Sequence, residues 1–169
     1  NIDVFLQCCV SGVIQKGNVV KGIQCASNEG PLRFEAPVTI DCTGDAIVSF
    51  LAGAEIQKGR SSDGLMQPVT LEYTIDGVDE SKGLICIGDV DNVQLNGERF
   101  LDWCKKRADE GKLPPLLAAV RLHPSVRPGC RQVNTTQANG VDITLTGSIF
   151  AVDLALRQQI RLLTRFLQE

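Results

Sequence analysis

Hydrophobic and polar positions alternate from the first residues of the chain. Ile2, Val4, Leu6, Cys8 and Val10 fall on one face, and this two-residue period predicts a strand over residues 2–15. Lys16-Gly17-Asn18 is a turn signal, Val19–Cys25 reads as a second strand, and Ser27-Asn28-Glu29-Gly30-Pro31 turns the chain again. Leu32, Phe34, Ala36, Val38 and Ile40 then alternate with Arg33, Glu35, Pro37, Thr39 and Asp41. That is a third strand, expected at an edge because Pro37 cannot donate to a ladder. Three strands joined by short turns make an antiparallel meander.

After Asp41 the period changes. Cys42-Thr43-Gly44-Asp45 leads into Ala46–Ala52 and then Gly53, which reads as strand, tight turn and short helix with a glycine stop. Asp45 is placed at or near the helix N-cap, where a carboxylate accepts free backbone N–H groups. The polar loop Lys58-Gly59-Arg60-Ser61-Ser62-Asp63-Gly64 marks an expected boundary between a domain of residues 1–58 and one of residues 59–169. Beyond it the pattern predicts a strand over Met66–Ile75 and a short apolar stretch at Leu84–Ile87. A helix is expected from Gly97 to Glu110, capped by Asn96 and stopped by Gly111. Strands are expected over Leu116–Leu122 and Arg131–Ala138, separated by a turn at His123–Gly129, with a hairpin-type turn at Asn139-Gly140. The last segment is the clearest helix: Ile149, Val152, Leu156, Ile160, Leu163 and Leu167 recur at three- and four-residue steps. Arg157, Arg161 and Arg165 line a second face of it and read as a solvated or ion-paired stripe.

Composition narrows the function classes. The net charge of −3 over 169 residues argues against a nucleic-acid or anionic-membrane surface, which needs clustered positive charge. With 43% hydrophobic and 22% charged residues the chain can bury a core. No apolar run approaches the length of a membrane span. Seven cysteines show neither CxxC spacing nor a Cys/His cluster, so no metal site is expected. Their apolar neighbours suit small buried hydrophobes in a reducing compartment, hence the cytoplasm. The opening without Met inside a strand pattern, and the ending inside a helical one, suggest a fragment of a longer protein.

The strand–turn–helix over Thr39–Ala54 is the most informative constellation. Glycine at a strand end lets a ligand approach the backbone, and a helix beginning there offers unpaired N–H groups; a plain connection with an Asp cap needs no ligand. His123, the one histidine, could accept a substrate proton, although before Pro124 it reads first as a turn residue. Trp103 with Phe100 reads as core. No residue pair forms a convincing catalytic acid–base couple.

Val38-Thr39-Ile40-Asp41-Cys42-Thr43-Gly44-Asp45-Ala46, Leu51-Ala52-Gly53-Ala54 and Gly59-Arg60-x-x-Asp63-Gly64-Leu65-Met66-Gln67-Pro68-Val69-Thr70 resemble the FAD-dependent oxidoreductases with a glutathione-reductase type of FAD domain. Pro124-x-x-Arg127-Pro128-Gly129, Val133-Asn134-Thr135-Thr136, Arg157-Gln158-Gln159 and Arg165-Phe166-Leu167 fit the same family's central region. The resemblance implies an α/β protein, α+β within these residues: the meander and Ala-Thr-Gly-like turn of an FAD domain, followed by part of a mixed substrate domain. It implies that Thr43, Gly44 and Asp45 lie near FAD, that Val10 ends the first meander strand beside the adenine, and that Gln67 returns towards the flavin. It also implies hydride transfer between a small organic substrate and FAD. The G-x-G-x-x-G fingerprint and the family's C-terminal FAD segment are absent from these residues. Cys42 stands where Ala is usual, and Gln137 where Arg is frequent. FAD is therefore expected in the parent protein and weakly held, or not held, by these residues alone. A reading of another class is a non-catalytic module that covers a substrate or docks a partner and binds no cofactor by itself.

Overall fold

The computed structural model describes residues 2–88 and 90–169. The chain folds as two compact units, residues 1–58 and 59–169.

In the first unit, β1 (Cys9–Lys16), β2 (Val19–Ser27) and β3 (Gly30–Glu35) form an antiparallel meander in the order β1-β2-β3. The β1–β2 hairpin closes through Gly17-Asn18, and the β2–β3 turn is fastened by Ser27, whose hydroxyl donates to the Gly30 carbonyl at 2.8 Å. Strand β2 carries Gly22 opposite Glu35. A Cβ at Gly22 would overlap the Phe34 carbonyl oxygen, so this close approach requires glycine. Cys25 is the buried centre of the meander, at 3% exposure.

The meander differs from its prediction at both ends. Residues 2–8 do not join the ladder, because Gln7 takes φ 58° and breaks the extended run, so β1 starts at Cys9. The third strand stops at Glu35 rather than reaching Ile40. Ala36 N–H still donates to the Lys21 carbonyl at 3.0 Å; Pro37 has no N–H to offer next. Val38 and Ile40 then run on outside any strand and are 72% and 80% exposed. Helix α1 (Ile47–Leu51) follows, with Val48 buried. Its end is closed as predicted: Gly53 N–H donates to the Phe50 carbonyl and Ala54 N–H to the Ser49 carbonyl, both at 3.0 Å, the paired bonds of a Schellman motif. The Gln15 side-chain amide donates to the Ala52 carbonyl at 2.8 Å and ties α1 to β1.

The second unit packs two helices against a small antiparallel sheet. Strands β4 (Tyr73–Ile75), β7 (Leu122–Pro124) and β8 (Arg131–Val133) are ordered β4-β8-β7, and β5 (Gln94–Leu95) pairs with β6 (Glu98–Arg99). Helix α2 spans Phe100–Asp109 and α3 spans Thr146–Phe166. The core joins Phe100, Leu101, Cys104 and Ala108 of α2 to Leu113, Leu117, Val120, Leu122, Val133, Leu163 and Phe166. Each of its fully buried leucines contributes about 1.5–3 kcal/mol relative to exposure. Trp103 packs on Phe166 with ring centroids 5.3 Å apart and stacks with Phe100 at 6.4 Å, and the Arg107 guanidinium lies 5.1 Å from its ring centroid.

Four predicted elements change form here. Asn96 does not cap a helix: Asn96 and Gly97 take φ 53° and 83° as the two loop residues of the β5–β6 hairpin, the type I′ requirement, so α2 starts later, at Phe100. The strands expected over Met66–Ile75 and Arg131–Ala138 shrink to three residues each plus a Val69–Ala138 bridge. Side chains replace the missing ladder bonds. The buried Thr136 hydroxyl accepts from Leu71 N–H and donates to the Leu71 carbonyl, at 2.8 and 2.9 Å. Gln159 of α3 likewise holds both backbone groups of Gln137. Leu116–Leu122 is a 3-10 turn at Pro115–Leu117 and a later strand, since Pro114-Pro115 fixes φ for a helical start. His123 and Pro124 consequently sit in β7, not in a turn.

An ion pair between buried Arg131 and the half-exposed carboxylate of Glu80 anchors the segment after β4. Arg131, 5% exposed, donates to both carboxylate oxygens of Glu80, at 3.0 and 2.8 Å, and to the carbonyls of Leu84 and Cys130. Gly129 N–H donates to the same Glu80 carboxylate. These bonds hold Glu80 down to a pKa of about 2, the Arg131 side chain being the largest cause.

Candidate functional site

The bend between β3 and α1 is built around Asp41, a residue absent from the sequence-derived candidates. Its Oδ1 accepts from Thr43 N–H at 3.1 Å and from the Thr43 hydroxyl at 2.7 Å. Its Oδ2 accepts from Ser49 N–H at 2.9 Å and the Ser49 hydroxyl at 2.8 Å. Four donors favour the ionised form, and the Asp41 carboxyl lies well below the usual range, the Ser49 backbone N–H being the largest cause. Thr43 extends the network, since its Oγ1 accepts from Ile47 N–H at 2.8 Å. The sequence carried half of this signal: Asp-x-Thr is the spacing of an Asx turn. The reach to Ser49 depends on how the chain returns and has no local signature.

Asp45 does not cap α1. The N-cap position belongs to Ala46, at φ 53°, with no side-chain cap bond; the first helical N–H is taken by Thr43 instead. Thr43, Gly44 and Asp45 form the outside of the bend, with Thr43 half-buried and the other two exposed. Gly44 has φ 81°, and no protein atom other than its own chain neighbours lies within 4 Å of where a Cβ would stand. The bend is therefore open to an approaching group on that side.

Val10 was expected at the end of the first strand. It is the second residue of β1, opposite Cys25, at a bulge before Gly12, because the ladder starts seven residues later than the alternation suggested. It shares the first unit with the bend. Gln67 is exposed and lies in the second unit, two residues before the Val69–Ala138 bridge. The loop ahead of it is closed on itself: Arg60 donates to both oxygens of Asp63 at 2.7 Å, and Arg60 N–H reaches the Leu65 carbonyl at 3.0 Å.

The match of a family model, FAD dependent oxidoreductase, extends over residues 1–169. The chain belongs to this family of FAD-dependent oxidoreductases. No curated protein and no solved structure gave a significant match.

Among the described residues, the other polar groups of this FAD-dependent oxidoreductase chain do not assemble into a catalytic set. The His123 Nε2 and the Tyr73 hydroxyl are both buried without a hydrogen bond of acceptable geometry. The sheet register puts Tyr73 on the face of Val133 and Leu122, and His123 on the face of Gln132 and Thr74. The Thr164 hydroxyl, the polar neighbour of Tyr73, donates instead to the Ile160 carbonyl at 2.8 Å. Arg157 of the helical stripe pairs with Asp153 at 2.7 Å. A shallow cavity of about 130 Å³ is lined by Arg99, Leu101, Lys105 and Ala119; Asp102 lies within ion-pair reach of both cations. All seven cysteines are thiols. Among the described residues there is no group of three or more metal-ligating side chains, and no helix is long and apolar enough to cross a membrane.

Proposed function

We propose that the polypeptide carrying this chain passes hydride between a small organic substrate and FAD, with residues 1–58 forming part of the FAD site and residues 59–169 part of the substrate side. The family match over residues 1–169 carries this reading, and the open side of Gly44 leaves room for a cofactor at the bend. A backbone that must meet a cofactor edge needs both a clear approach and a fixed shape, and the bend has both: exposed Gly44 and the bonds of Asp41.

In this reading Thr43, Gly44 and Asp45 contact FAD, Val10 offers backbone on the adenine side, and Gln67 faces the flavin. FAD supplies the redox chemistry; the chain supplies orientation and a surrounding electrostatic field. Thr43 presents backbone to the cofactor while its hydroxyl is spent on Asp41 and Ile47. Asp45, exposed and free of a capping duty, is available to a ribose hydroxyl. The test is direct: purify the full-length polypeptide, release its cofactor by denaturation and identify it by chromatography. Near-stoichiometric FAD supports the reading; a protein that carries no flavin and takes up none on incubation with FAD overturns it.

A further inference from the structure

We infer that Asp41 is the positioning residue of the FAD site: it touches no cofactor itself and fixes, before FAD arrives, the bend that receives it. The inference rests on the reading of the bend as the FAD site. Its physical basis is separate and lies in the bonds on both sides of the bend. One carboxylate grips Thr43 through Oδ1 and Ser49 through Oδ2, residues six apart in the chain with the bend between them. Within that span two residues take left-handed backbone, Gly44 at φ 81° and Ala46 at φ 53°. Alanine adopts that region only where the surroundings over-determine it. Here the surroundings are Asp41 and the Thr43 hydroxyl that Asp41 orients towards Ile47 N–H.

The side of Gly44 away from this network is empty of protein within 4 Å. The bend is thus braced by Asp41 and exposed at Gly44, so its shape is set without occupying the approach to that backbone. A loop that is already ordered does not lose its freedom at binding.

The variants Asp41→Ala and Asp41→Asn separate this role from a general structural one. Asparagine keeps an oxygen for Thr43 and turns an N–H₂ group towards Ser49 N–H, so it restores half of the grip. In the full-length polypeptide, Asp41→Ala should speed amide exchange at Thr43, Ile47 and Ser49 without cofactor. It should also weaken FAD binding by about tenfold or more, the cost of re-ordering one or two residues on binding. Asp41→Asn should fall between Ala and the unaltered protein. Ile23→Ala, in β2 and outside the network, supplies a variant of comparably lowered melting temperature and should keep its FAD affinity. If Asp41→Ala does not fold, the Asn variant decides: weakened binding with the fold retained supports the role, unchanged binding overturns it. Unchanged affinity in Asp41→Ala, or equal weakening in Ile23→Ala, overturns the role of Asp41 and leaves the FAD site standing. An unaltered polypeptide that binds no FAD overturns the site and this role together.

Discussion

Replacing Gly44 separates the two reasons a glycine can stand in that bend. Its φ of 81° disfavours any residue with a Cβ, at about 1–2 kcal/mol for alanine in the left-handed region. A β-branched valine costs more there, and asparagine less, because its side chain tolerates that region. No protein atom lies within 4 Å of the added Cβ, so steric overlap within the protein adds nothing to the stability loss. Denaturant unfolding without cofactor should therefore rank the variants Asn, Ala, Val from mildest to most destabilised. Cofactor binding should follow a different rule. An added Cβ enters the space assigned to FAD, and overpacking of about 1–3 kcal/mol weakens affinity by roughly 5- to 150-fold for all three, asparagine included. Flavin retained after gel filtration and a fluorescence titration with FAD measure this. A Gly44→Asn protein with unimpaired FAD affinity would refute the reasoning, for the glycine would then serve the turn alone.

Three further outcomes follow from the geometry. Leu163→Ala removes a side chain of zero exposure from the α3 seam and should cost about 2–5 kcal/mol, read as a lower denaturation midpoint of the second unit; a loss near zero would mean that α3 is not seated as described. Glu80 has a folded pKa of about 2, lowered from 4.5 by Arg131 and Gly129, so its contribution is complete above pH 4.5 and fades as pH falls from there towards 2; Glu80→Gln should flatten the acid limb of the stability–pH curve over that window. Burial pushes the Cys104 thiol up to about 12, so mass-spectrometric alkylation of the native protein should label exposed Cys9 and Cys42 and spare Cys86 and Cys104 until unfolding.

Local patterns were legible where one interaction dominated. Alternation placed the meander, three- and four-residue spacing placed α3, and Gly53 marked the end of α1. Where two mechanisms compete for the same residues, the sequence does not choose between them. Asn96-Gly97 suits a helix cap or a type I′ hairpin; the hairpin prevails because Gln94–Leu95 and Glu98–Arg99 can pair across it. Asn139-Gly140, the same dipeptide, makes no hairpin, since the chain before it is engaged by Val69 and Gln159 and the chain after it enters α3. Long-range side-chain bonds were the least legible. Thr136 substitutes for a ladder across 65 residues, and Asp41 reaches Ser49 across eight residues whose reversal has no periodic signature. The candidate bend was thus found from its Thr43-Gly44-Asp45 motif, while the residue that shapes it was not.

The central claim is that the bend after β3 lies against FAD, and amide exchange at Thr43–Ser49 in the full-length polypeptide tests it most directly. FAD bound there should slow exchange at Gly44 and Asp45 relative to the cofactor-free protein, with the Asp41-bonded Thr43 and Ser49 amides already slow in both states. FAD that binds without changing exchange at Gly44 and Asp45 would contradict the claim.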